Sequence, residues 1–274
     1  MSKLQLFRSF LPVLFFALFA LGGCSEYQKV LKSSDSDYKF KKAKEYFEDE
    51  KYAKAYPLFD ELLTLYRGST QAEEVYYYLA LTHFHLKEYI LSAYHFKNFT
   101  KTFPKSKYAE EAMFLTGYSY YKESPNFSLE QSFTFKAINQ LQLFVNTYRN
   151  SPRLEECNQL IIELRQKLER KAYINAKQYY TIGHFQSASI ALANMIADFP
   201  DTKYREEVMY LIVKSRYELA RFSIESKQLQ RYIETRTAAE QFEEAFPASK
   251  KVTETREILA TVNEQINQMQ SEIS

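Results

Sequence analysis

The stretch Phe103-Pro104-Lys105-Ser106-Lys107-Tyr108-Ala109-Glu110-Glu111 returns later in the chain as Phe199-Pro200-Asp201-Thr202-Lys203-Tyr204-Arg205-Glu206-Glu207. Tyr148-Arg149-Asn150-Ser151-Pro152-Arg153-Leu154-Glu155-Glu156 is a looser copy and Tyr66-Arg67-Gly68-Ser69-Thr70-Gln71-Ala72-Glu73-Glu74 a decayed one. Phe246-Pro247-Ala248-Ser249-Lys250 opens a fifth. Each reads as one helix ending and the next beginning. An aromatic closes the first helix, Pro or its substitute stops it, and Ser or Thr stands where it can N-cap the second. The acidic pair then falls in the new helix's first turn, where the macrodipole favours negative charge. Five such junctions indicate a chain built from repeats.

Composition agrees with helices. Five Gly and seven Pro in 274 residues, with Gly22 and Gly23 both near the N-terminus, are too few for the tight turns of an all-β fold. Tyr (23) and Phe (22) are abundant while Trp is absent, an aromatic load beyond what a helical bundle needs.

Residues 1–23 read as an export signal: Lys3 and Arg8 ahead of an apolar run from Phe10 to Ala20, too short to span a bilayer. The ending Leu21-Gly22-Gly23-Cys24 resembles a bacterial lipobox, which implies cleavage before Cys24 and lipid attachment to it. Ser25 follows Cys24, and by the sorting rule known in proteobacteria this implies the outer membrane, with the acyl anchor holding the protein to the lipid bilayer. Without residues 1–23, two of the 36 basic residues go and no acid does, leaving 34 against 34. That neutrality offers nothing for nucleic acid. Cys157 is then the one side-chain thiol left, read as a buried small hydrophobe. Residues 24–37 are polar and read as a lipidated tether.

Helix pairs follow. Ala43, Tyr46, Ala55 and Phe59 match the tetratricopeptide pattern, in which small residues at positions 8 and 20 let paired helices approach closely. Ala80, Ser92 and Phe96 repeat it, then Gly117, Ala137 and Leu141, then Ala176, Ala188 and Leu192. Val213 takes the small site of a degenerate fifth pair, and a polar amphipathic C-terminal stretch caps the array. The expected fold is all-α, a right-handed superhelix of about five tetratricopeptide-like helix pairs with a C-terminal capping helix. Arg153 to Ile182 contains neither Pro nor Gly and predicts one helix of about 29 residues, ~44 Å long, with a break near Glu169-Arg170-Lys171 as the alternative. The chain divides accordingly into an N-terminal half over 38–152 and, over 153–274, the long linking helix, the C-terminal half and the cap.

With each small residue numbered 8, position 5 is Phe40, Tyr77, Phe114, Tyr173 and Tyr210, and position 12 is Phe47, Phe84, Tyr121, Tyr180 and Tyr217. All ten are aromatic, and seven residues apart they share one face of each first helix. Two readings stand open: core against the neighbouring repeat, or a groove for an extended, aromatic-bearing peptide. On the second, Phe40, Phe47, Tyr77, Phe84, Phe114 and Tyr121 are the candidate peptide-binding residues, and the position-9 lysines Lys44, Lys177 and Lys214 could meet carboxylates. Catalysis, a metal and a cofactor find no constellation: His83 and His85 diverge on one helix, no HExxH occurs, and the acidic pairs sit at helix starts.

The mature chain resembles the BamD family, outer-membrane lipoproteins of the β-barrel assembly machinery. The likeness is closest over Leu164–Tyr173, Tyr179-Tyr180-Thr181 and Asp198-Phe199-Pro200-Asp201-Thr202. Phe185 replaces the family's common Trp, and Arg67 replaces Pro in the first junction. The resemblance implies a periplasm-facing scaffold. Its C-terminal repeats would bind a POTRA domain of BamA, and its N-terminal repeats would receive the C-terminal strand of unfolded outer-membrane β-barrel proteins, which typically ends in an aromatic. Two other readings are a tetratricopeptide lipoprotein adaptor coordinating peptidoglycan synthesis with envelope constriction, and a glycan-binding lipoprotein. The missing Trp weighs against the latter.

Overall fold

A computed structural model describes residues 26–273, and these are helical apart from turns. A short helix α1 covers 26–32. Repeat 1 is α2 (Ser36–Glu48) with α3 (Tyr52–Leu65), and repeat 2 is α4 (Ala72–His85) with α5 (Tyr89–Thr102). Repeat 3 is α6 (Ala109–Glu123) with α7 (Ser132–Thr147). Repeat 4 takes the end of α8 (Leu154–Thr181) with α9 (Phe185–Asp198). Repeat 5 is α10 (Arg205–Arg221) with α11 (Glu225–Ala245), and α12 (Val252–Ile273) follows. The long helix is a single element of 28 residues, with no break at Glu169–Lys171.

The small residues do what their spacing predicts. Ala43, Ala55, Ala80, Ser92, Ala137, Ala188 and Val213 have no exposed surface, and Ala176 has 2%. Gly117 marks the closest approach. A Cβ placed there would stand 2.9 Å from Leu141 Cγ and Cδ2 and 3.2 Å from the Leu141 backbone nitrogen, so α6 and α7 pack at a distance only Gly allows. Phe59, Phe96, Phe99, Phe144 and Phe242, from the second helices, fill the core.

The tight turns inside repeats 1, 2 and 4 share one conformation. Glu50 (φ 60°), Lys87 (φ 62°) and Gly183 (φ 79°) each stand seven residues after the small residue and turn the chain left-handed. The next amide donates back to the first helix: Lys51 to Tyr46, Glu88 to His83, and His184 to Tyr179, at 2.8–2.9 Å. This is the Schellman helix ending, which favours Gly at its left-handed position.

One expectation is revised. Residues 26–32, within the stretch read as a tether, form α1, and α1 packs on repeat 1. Val30 is fully buried in the cluster of Ala43, Ala55, Leu58, Phe59 and Leu62, and the Tyr27 hydroxyl donates to the Lys54 carbonyl at 3.2 Å. The missed signal is Tyr27, Val30 and Leu31, a single apolar turn too short to show periodicity.

The chain resolves into two compact units. The first runs to Pro125 and resumes over Gln131–Ile162; the second is Asn126–Glu130 with Glu163 onward. The division lies within α8 rather than at 152/153. The insertion Asn126–Glu130 belongs with the second unit because it packs on the later part of α8. Arg170 stacks on the Phe127 ring at 4.2 Å, and the Lys171 ammonium donates to the Leu129 carbonyl.

Candidate peptide-binding surface

The junctions set the geometry. The Ser or Thr accepts from the amide two residues on: Ser106 from Tyr108 (2.9 Å), Thr202 from Tyr204 (3.1 Å), Ser249 from Lys251 (3.1 Å). It therefore opens a turn ahead of the helix, and the N-cap position itself falls on Tyr108 or Tyr204. The same hydroxyls donate to the first acid of the preceding repeat: Ser106 to Glu73 (2.6 Å), Thr202 to Glu169 and Ser249 to Glu206 (2.8 Å).

In two of the four pairs the second acid meets the position-9 lysine of the repeat before it, while Glu111 and Glu156 share Arg153. Lys44 bonds Glu74 at 2.8 Å and Lys177 bonds Glu207 at 3.4 Å, while Lys214 bonds Glu254 in α12 at 2.8 Å. Glu207 also takes Lys251 at 2.7 Å. Burial alone would push the Glu207 carboxyl up, but the bonds and charges of Lys251 and Lys177 hold it below the usual carboxylate range. The acidic pairs are thus staples between repeats as well as partners of the helix dipole. The lysines expected to await a carboxylate ligand already hold one from the protein.

The two aromatic rows part company. Position 5 is roofed by the sixth residue of the following junction. Tyr108 stacks on Tyr77 and Tyr204 on Tyr173, each with centroids 4.2 Å apart. Arg153 covers Phe114 at 4.2 Å, and Lys251 lies 5.4 Å from the Tyr210 centroid. Beneath, Tyr77 meets Phe96 and Phe99, and burial raises its phenol pKa to about 12. Phe114 is 2% exposed. It belongs to the core and is withdrawn as a peptide contact. Phe40 is half-buried between Phe59 and Tyr66.

Position 12 is half-buried throughout. Phe47 packs on Tyr52, Phe59, Tyr78 and His85, bridging repeats 1 and 2. Phe84 lies 6.0 Å from Tyr118, and Tyr118 stacks on Tyr121 (5.7 Å, 9°) and on Phe114 (5.5 Å, 16°). Phe84, Tyr118 and Tyr121 therefore form one continuous, partly open aromatic ladder across α4 and α6, with the Lys122 ammonium 5.1 Å from the Tyr118 centroid. Tyr118 was missed as a site residue because its position, 9, is Lys in three other repeats. A ring there instead of a staple was the available signal.

The second unit carries a groove of about 680 Å³ between α9 and α11 over α10. Ile196, Met209 and Ile212 supply an apolar floor, and Arg205 and Arg216 flank it. Each arginine spends a donor on a backbone carbonyl, Pro200 and Glu234 respectively.

Elsewhere, His83 and His95 stack face to face (4.9 Å, 2°), and His83 Nδ1 lies 2.7 Å from Glu88. Among the described residues no cluster of three or more His, Cys, Asp or Glu could hold a metal, and no helix is long and apolar enough to cross a membrane. Cys157 is buried, and its thiol pKa is raised to about 11 by burial. Cys24, the expected lipidation site, lies outside the described residues.

The profile of the YfiO family, described as outer membrane lipoproteins, matches residues 33–220. The chain belongs to this family. A relative from Aquifex aeolicus (strain VF5), provisionally named outer membrane protein assembly factor BamD, is 25% identical over 250 residues, covering 90% of this chain and 81% of its own length. Solved structures similar to the chain include the TPR2AB domain of yeast Sti1 in its complex with pHSP90. It is 14% identical with a TM-score of 0.39, over 86% of this chain and 94% of that one. The TPR domain of P58(IPK) is 15% identical with a TM-score of 0.40, over 93% and 69%. The family match spans the aromatic ladder, α9 and α10, and ends before α11, which supplies one wall of the groove.

Proposed function

We propose that this protein is a non-enzymatic scaffold for the assembly of outer-membrane β-barrel proteins, anchored by acyl chains on Cys24 and facing the periplasm. Its family membership and the assembly-factor relative support the assembly role. The observation that carries the binding mode is the ladder Phe84–Tyr118–Tyr121. Half-buried rings with phenol tips offer area and hydrogen bonds to an extended strand ending in an aromatic. Among the earlier candidates, Phe47 continues this surface toward repeat 1. Phe40 packs on Phe59 and Tyr66, and Tyr77 on Phe96, Phe99 and Tyr108, so both serve the packing of the repeats.

The groove of the second unit is the contact for a POTRA domain of BamA. An apolar floor between two arginines suits a partner edge that places carboxylates beside an apolar side chain. A pull-down from detergent-solubilised membranes through a C-terminal tag tests the assignment. BamA is expected to co-purify, and to be lost with Arg205→Glu/Arg216→Glu. Recovery of a peptidoglycan synthase in place of BamA would overturn it.

A further inference from the structure

The packing of α1 leaves almost no chain between the first repeat and the anchor. Only Ser25 separates Glu26 from Cys24, and at no more than ~3.6 Å per residue the two Cα atoms lie within ~7 Å of each other. α1 itself is held down. Besides buried Val30 and the Tyr27–Lys54 hydrogen bond, the Tyr27 ring meets Tyr46 edge-on at 5.5 Å, and Lys42 reaches Glu26 at 3.3 Å. Tyr46 and Lys54 stand near the end of α2 and the start of α3, and Lys42 midway along α2, so α1 runs antiparallel to α2 and begins within charge range of the α2–α3 turn, Asp49-Glu50-Lys51.

We propose that this end of repeat 1 is a membrane-docking surface, held against the lipid headgroups by the acyl chains of Cys24 with α1 as a rigid leash. It rests on the lipid-anchor reading above. The surface suits a zwitterionic headgroup layer such as phosphatidylethanolamine: Lys42, Lys51 and Lys54 alternate with Glu26, Asp49 and Glu50, giving mixed charge. Tyr27, Tyr46 and Tyr52 are half-buried beside them, and such rings with polar tips favour the membrane interface. The protein would then stand on the membrane in one orientation instead of drifting on a tether. Phe47 would lie one helical turn from the lipid surface.

The test uses the full-length lipidated protein in phosphatidylethanolamine/phosphatidylglycerol vesicles that carry a headgroup nitroxide quencher. Bimane is placed at Lys51→Cys or, at the opposite end of the repeat, at Thr70→Cys; buried Cys157 with its raised pKa does not compete for label. The site at 51 is expected to lose most of its emission and the site at 70 to keep it. Inserting about twelve Gly/Ser residues between Ser25 and Glu26 lengthens the leash to ~19 Å on average without touching α1. Quenching at 51 should then fall to the level at 70. Equal quenching at the two sites, or an insertion without effect, overturns the docking surface while leaving the anchor standing, provided flotation with vesicles is lost in Cys24→Ser. Flotation indifferent to Cys24→Ser, or absent from the unsubstituted protein, overturns the anchor reading and the docking surface with it.

Discussion

Single atoms decide where two helices meet in repeat 3. Gly117→Ala adds a methyl 2.9 Å from Leu141. Overpacking of this kind costs about 1–3 kcal/mol, against roughly 1 kcal/mol gained by placing Ala instead of Gly in a helix. A net loss of about 1 kcal/mol is expected in urea unfolding monitored by circular dichroism. An increase in stability would show that α6 and α7 can part without cost. His95 makes a second residue-scale prediction. Burial first, and then the charge of stacked His83, lower its pKa to about 4, with Asp60 opposing. Its Nδ1 has no hydrogen-bond partner among the described residues, and Tyr76, Tyr94 and the His83–Glu88 pair surround it. The unfolded chain protonates near pH 6.5 and the folded one does not until about 4, so stability contributed by neutral His95 is full above 6.5 and is lost as pH falls toward 4. Discounted for partial exposure, the loss is on the order of 1 kcal/mol. Urea midpoints at pH 7 and pH 4.5 for the parent and His95→Phe check this, the parent falling further.

At the scale of elements, the repeats are joined by a hydroxyl, two acids and a lysine. Thr202→Val removes the donor to Glu169, a carboxylate 9% exposed, leaving it the Lys203 amide at 3.2 Å. A buried acceptor stripped of its partner costs about 1–3 kcal/mol. Thr202→Ser should restore most of it in thermal unfolding. The left-handed turns offer the opposite sign. Lys87→Gly relieves a cost of roughly 1–2 kcal/mol against about 0.5–1 kcal/mol of added unfolded-state freedom, so a gain of about 0.5–1 kcal/mol is expected from the same measurement. Most of this layer is legible in the sequence. The Ser/Thr and Glu-Glu spacing marked the starts of α4, α6, α8 and α10, and the run without Pro or Gly marked α8 as one helix. What could not be read was the partner of each acid. The contacts Glu74–Lys44 and Glu207–Lys177 join residues thirty apart in the chain, and helix periodicity reports only which face a residue occupies.

For the whole molecule, the same limit explains the candidate site. Register placed ten aromatics on the first helices, and all ten are there. Which row stays open depends on the residue that arrives from the next junction. Tyr108, Arg153 and Tyr204 roof position 5, which makes Phe114 core and leaves Phe84, Tyr118 and Tyr121 as the surface. The buried role of α1 was hidden for a related reason, since one apolar turn has no period to detect. A direct titration tests whether this ladder receives the aromatic end of a β-barrel strand. The C-terminal peptide of a barrel protein, with and without its final aromatic, is titrated into the protein and into Phe84→Ala/Tyr118→Ala/Tyr121→Ala by fluorescence anisotropy. A buried aromatic side chain contributes about 1.5–3 kcal/mol, so deleting the final ring should weaken binding roughly 10- to 100-fold. The triple variant, still helical by circular dichroism, should bind both peptides equally weakly. Equal affinity of the unsubstituted protein for the two peptides would contradict that role.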